Sequence, residues 1–173
     1  MQSGVTDGVI DNLPSVSASA PSLSGSLTFG IGTEDNNGIG SAKTLHADSF
    51  GNLKTSFKNQ TYPGFIDSGS NAFFFLDSST TGITGCPSPE TGFYCPSSPV
   101  NLSASNSDGT SSNTINFTIG NASQLFSVSA NFVFPTLGGP NPGIFDWGLP
   151  FFFGRKVFIG FEPPADTKPF WAY

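Results

Sequence analysis

Leu27, Phe29 and Ile31 alternate with Ser26, Thr28 and Gly30, and the same spacing recurs far along the chain. Ile115, Phe117 and Ile119 alternate with Asn116 and Thr118, and Val157, Ile159 and Phe161 follow the same rule. Phe126, Val128, Ala130, Phe132 and Phe134 form a further series. Successive strand side chains point to opposite faces, so a period of two predicts half-buried strands. Turn clusters separate these runs. Asn36-Asn37-Gly38, Asn106-Ser107-Asp108-Gly109 and Gly138-Gly139-Pro140-Asn141-Pro142-Gly143 hold the residues that take positive φ or fix a bend. No window keeps a 3.6-residue apolar period with caps at both ends. The expectation is an all-β fold of short strands, a barrel or a sandwich, with little helix. One helical turn is predicted from Asn121 to Phe126, with Asn121 as its N-cap.

At 173 residues the chain fits a single domain able to bury a core. Residues 1–24 are rich in Ser, Ala, Pro and Gly and read as a leading arm or linker, which leaves 25–173 as one β lobe. The core is aromatic, with 19 Phe, and Phe outnumbers Leu. Only 10% of residues are charged, against about a quarter in an average domain. With six Lys and Arg and a net charge of −6, the chain lacks the cationic surplus that nucleic-acid phosphates demand. No apolar run reaches membrane-spanning length. The start, Met1-Gln2-Ser3-Gly4-Val5, lacks the basic and apolar regions of a signal peptide.

Cys86 and Cys95 flank a loop rich in Pro, Ser and Gly. In an exported protein they read as a disulfide, and the alternative is a pair of buried or free thiols. A metal site is not expected, since no CxxC pair exists and His46 is the only histidine. The stretch Gly38 to Thr44 fails as a phosphate loop because Ala42, not Gly, precedes Lys43.

One stretch carries possible chemistry. Phe65 and Ile66 run into Asp67, followed by Ser68, Gly69 and Ser70. The apolar pair anchors a strand that ends on a carboxylate. Gly69 lets the backbone turn back and donate its N–H to that carboxylate, and the Ser70 hydroxyl adds a second donor. The plainer reading is an ordinary strand end followed by a turn.

The stretch resembles the active-site signature of pepsin-like and retroviral aspartic proteases. Gly25-Ser26-Leu27-Thr28-Phe29-Gly30 looks like the strand that opens the C-terminal lobe of pepsin-like enzymes. Trp147-Gly148-Leu149-Pro150-Phe151-Phe152 and Val157 to Phe161 look like its apolar-Gly segment and final hairpin. The Cys86–Cys95 loop would match a disulfide-closed loop on that lobe. The whole chain is similar to the C-terminal half of a family of exported bacterial proteins ending in a Trp/Phe-Ala-Tyr tail, as in Phe170-Trp171-Ala172-Tyr173.

That resemblance implies a closed β-barrel lobe of the acid-protease type, exported to the periplasm or beyond. Asp67 would be one catalytic aspartate of a dyad, oriented by Ser68, Gly69 and Ser70, hydrolysing peptide bonds without metal or cofactor. The second aspartate would come from an N-terminal lobe or a homodimer mate, and the substrate would be a peptide or protein. Two departures stand out. Asp146 precedes Trp147 where the protease pattern prefers an apolar residue, and no segment matches the flap with its tyrosine. A non-enzymatic exported module that keeps the fold is the alternative expectation, and a sugar-binding adhesin-type sandwich a more distant one.

Overall fold

The computed structural model describes residues 6–162 and 168–173. Its strands, in chain order, are β1 (Thr6–Leu13), β2 (Ser26–Ile31), β3 (Thr44–His46), β4 (Leu53–Phe57), β5 (Gln60–Ile66) and β6 (Phe73–Leu76). After a single helical turn, α1 (Ser78–Thr81), come β7 (Val100–Ser107) and β8 (Ser112–Ile119). A second turn, α2 (Ala122–Phe126), precedes β9 (Gly138–Gly139) and β10 (Asn141–Trp147). A 3₁₀ turn at Leu149–Phe151 leads to β11 (Arg155–Glu162) and β12 (Phe170–Ala172). The chain is all-β, as the period-two pattern requires.

The strands form two sheets. One has the order β2-β1-β11-β12-β3 and the other β8-β7-β4-β5-β10-β6-β9. The second sheet curls toward closure. The Gly120 N–H, just past β8, donates to the Thr136 carbonyl, just before β9, at 2.8 Å. The two outermost strands of the order are thereby brought together, which limits the open edge that such a sheet would otherwise present.

The main core lies on the inner face of the curled sheet. Phe73, Phe75, Phe117, Phe145, Trp147 and Phe151 are buried there with Leu45, Val157 and Tyr94. Their rings meet edge-on or offset, as Phe73 on Trp147 with centroids 5.9 Å apart and Phe75 on Phe145 at 5.1 Å. Such pairs add about 0.5–1.5 kcal/mol each beyond area burial. A polar chain threads this core: Trp147 Nε1 donates to Thr55 Oγ1, which donates to Asn106 Oδ1, and Asn106 Nδ2 donates to the Tyr173 hydroxyl. Thr55 and Asn106 are fully buried, so each depends on these partners.

Three sequence expectations meet a different outcome. Within the segment expected as an arm, Thr6–Leu13 is instead β1, paired on one side with β2 and on the other with β11. Ile10 is buried there. The Ser/Ala/Pro-rich composition begins only at Pro14, and residues 1–5 lie outside the described residues. The alternation from Phe126 to Phe134 does not form a strand. Phe126 ends α2, and its ring packs on Phe93 and Phe134 in a small side core. In β2 the expected apolar face does not meet the core at Leu27 and Phe29, which are 53% and 77% exposed. The cap at Asn121 is as expected, its side chain accepting the Gln124 N–H at 3.1 Å.

Candidate functional site

Asp67 follows directly on β5, whose core-facing residues Gly64 and Ile66 are buried. Its own loop closes over it. The Gly69 N–H donates to Asp67 Oδ1 at 2.8 Å and the Ser70 hydroxyl lies 3.2 Å from Asp67 Oδ2. Both oxygens are therefore engaged from within four residues of sequence, as the Asp-Ser-Gly-Ser order leads one to expect. Ser68 and Gly69 are exposed, and Asp67 and Ser70 are half-buried. Neither of the two bonds to the carboxylate comes from Ser68.

The loop is fixed from below by a distant part of the chain. Strand β10 lies between β5 and β6, parallel to the first and antiparallel to the second. The loop joining β5 to β6 must therefore cross the end of β10. Asp67 N–H donates to the Trp147 carbonyl at 3.1 Å, and Leu149 N–H donates to the Ser70 carbonyl at 2.6 Å. Gly148 sits at the crossing. A Cβ there would stand 2.0 Å from the Ala72 carbonyl oxygen and 2.7 Å from that of Ser70. Only glycine permits this approach.

The same crossing brings in Asp146. In β10, Phe145 and Trp147 face the main core, so Asp146 faces the other side. There it stands in register with Phe65 of β5 and Phe74 of β6, and residues directly opposite in paired strands share a face. Asp146 is only 6% exposed. Its Oδ2 lies 2.6 Å from Ser70 Oγ, the hydroxyl that also reaches Asp67. Among the described residues, its buried Oδ1 has no hydrogen-bond partner. Burial pushes the Asp146 carboxyl up to about 6, with the nearby Asp67 charge adding to the rise and the Ser70 hydrogen bond opposing it.

The structure thus joins Asp67, Gly69 and Ser70 as the sequence predicts and adds Asp146 as a second carboxylate. The sequence marks Asp146 only as a charged residue in an otherwise apolar segment. That is a usable signal, since an unpaired acidic residue in a buried strand needs a reason. Cys86 and Cys95 are disulfide-bonded. Cys86 packs with Ala72, Ala122 and Leu137 in the side core that adjoins the site loop through Ala72. Among the described residues no cluster of three or more metal-ligating side chains occurs, and no helix is long and apolar enough to cross a membrane.

No curated protein matches the chain significantly. A family model described as "Protein of unknown function (DUF3443)" matches residues 5–173, and the chain belongs to that family.

Proposed function

We propose that this lobe supplies one carboxylate, Asp67, to an aspartic-type peptidase dyad whose second member comes from another lobe or a two-fold mate. The observation that carries the reading is the hold on Asp67, with a donor on each carboxylate oxygen from its own loop. A carboxylate so held keeps its plane and presents an edge to a reactant without reorganising. Placement of Gly148 against the loop, as the apolar-Gly strand lies beside the catalytic loop in pepsin-like proteases, supports it further. The exposure of Ser68, Gly69 and Asn71 leaves the loop open to a facing partner.

Two facing aspartates do not both ionise. They share a proton, the ionised member draws a proton from water, and the protonated one donates toward the peptide carbonyl. Such chemistry runs best at acidic pH and needs neither metal nor cofactor. The disulfide fits an exported setting.

The test is cleavage of an unfolded protein substrate at mildly acidic pH by this chain and by its Asp67→Asn variant. Asp67→Asn is expected to abolish hydrolysis while leaving the melting temperature nearly unchanged. A rate that rises with the square of protein concentration, below the dimer dissociation constant, assigns the second aspartate to a two-fold mate. An Asp67→Asn variant as active as the parent refutes the proposal.

A second reading, a non-enzymatic exported module that keeps the fold, rests on a different observation. Leu27, Phe29, Phe50 and Phe161 are all more than half exposed, a feature that serves association without chemistry as well as with it. Silence of both proteins in the cleavage assay favours it.

A further inference from the structure

We infer that Asp146 is a positioning residue that stores a proton for this site and exchanges it with Asp67 through the Ser70 hydroxyl. The inference rests on Asp67 being the working carboxylate. It deepens that reading by placing a second titrating group inside the same lobe.

The geometry is a three-member chain: Asp146 Oδ2, Ser70 Oγ at 2.6 Å, and Asp67 Oδ2 at 3.2 Å from that hydroxyl. A serine hydroxyl has one proton to give and lone pairs to accept with, so it cannot donate to both carboxylates at once. Two arrangements satisfy it. In the first, Asp146 is neutral and donates its Oδ2–H to Ser70 Oγ, while Ser70 donates to the Asp67 carboxylate. In the second, Ser70 donates to an ionised Asp146, and Asp67 carries the proton and donates it to Ser70 Oγ.

Passing from the first to the second breaks the Asp146 Oδ2–H bond as a new Ser70 Oγ–H bond forms. The original Ser70 O–H bond breaks as Asp67 Oδ2–H forms. One proton enters the hydroxyl and one leaves, and the pair keeps a single negative charge throughout.

The first arrangement is the resting one. Asp146 is 6% exposed, flanked in register by Phe65 and Phe74, and its Oδ1 is unpartnered among the described residues. An anion there is costly. Asp67 is half-exposed and has the Gly69 N–H as a second donor, so the charge sits better on it.

The charged surroundings are simple. Asp146 is the one ionisable residue of β10, and β6 has none. On β5 only Tyr62 ionises, and its ring lies against Phe145, on the core face. The site loop contributes Asp67. Among these elements the charge acting on Asp146 is that of Asp67, which adds to the rise of its carboxyl.

The test is a pH titration followed by NMR of aspartate labelled with ¹³C at the carboxyl carbon, in the parent chain and in three variants. It needs no substrate. The Asp146 midpoint is expected at about 6 in the parent. Asp67→Asn is expected to lower it by about half a unit, by removing a like charge across a solvent-screened gap. Ser70→Ala is expected to displace it, by removing the hydroxyl that joins the two carboxylates. Asp77→Asn, at the N-cap of α1, is expected to leave it unmoved.

An Asp146 midpoint near the ordinary carboxylate value of about 4 overturns the inference. So does a midpoint that neither Asp67→Asn nor Ser70→Ala moves. Failure to cleave any substrate counts against the peptidase reading alone, because the coupling is read without turnover. In an active assembly, Asp146→Asn keeps a donor toward Ser70 but has no proton to release. Its kcat is expected to fall at unchanged KM with the pH profile displaced, and an unchanged profile overturns the positioning role.

Discussion

Replacing Gly148 by alanine tests the crossing on which the site is built. The added Cβ would lie 2.0 Å from the Ala72 carbonyl oxygen and 2.7 Å from the Ser70 carbonyl oxygen, where ordinary contact begins at 3.4 Å. Both obstacles are backbone, so no side chain can swing aside. The loop must retreat by more than about 1 Å, and forced overpacking of this kind costs about 1–3 kcal/mol. Retreat also stretches the Leu149 N–H bond to Ser70 and the Asp67 N–H bond to Trp147, each worth about 1 kcal/mol.

The expected loss is therefore about 2–4 kcal/mol, or a fall in melting temperature of about 5–15 °C for a chain of this size. Urea unfolding at neutral pH, read by tryptophan fluorescence, measures it directly. Gly92→Ala is the control, since a Cβ there meets nothing within 4 Å and the backbone needs no positive φ. The control is expected to be neutral or slightly stabilising. A Gly148→Ala variant within about 0.5 kcal/mol of the parent refutes the claim that the crossing holds the loop down.

Two further outcomes follow from the polar groups in and beside the core. Thr55→Val removes the acceptor of Trp147 Nε1 and the donor to Asn106 Oδ1 while keeping the shape of the side chain; chemical unfolding is expected to report a loss of about 2–4 kcal/mol, most of it from the two stranded partners. Asp146 contributes with the opposite sign at neutral pH. Its folded carboxyl is raised to about 6, so the fold loses stability relative to the unfolded chain as pH climbs from about 4 to about 6 and holds level above that. Asp146→Asn is accordingly expected to stabilise the protein by about 1–3 kcal/mol at pH 7 and by almost nothing at pH 4. Equal effects at both pH values would show that Asp146 is not held neutral by its burial.

The sequence by itself determined whatever depends on residues within a few positions of one another. Alternation at Ile115, Phe117 and Ile119 became β8, and Val157, Ile159 and Phe161 lie in β11, because strand periodicity is a property of neighbouring side chains. Asn121 caps α2 and Gly69 and Ser70 bond Asp67 for the same reason: each bond closes over two or three residues. The disulfide spans a short loop whose ends were already close in sequence.

The tertiary structure alone decided what meets across long stretches of chain. Phe126 to Phe134 alternates as faithfully as β8, yet it has no paired strand: Phe126 and Phe134 pack into a side core while Phe132 stays exposed. Period two marks an amphipathic segment and does not supply a neighbour. Thr6–Leu13 was masked by the composition that follows it, although β1 pairs with both β2 and β11. Most telling is the site itself. Ser70 and Asp146 are 76 residues apart, joined only because β10 is inserted between β5 and β6. No local pattern encodes that insertion, and with it came the buried second carboxylate joined to Asp67 through Ser70.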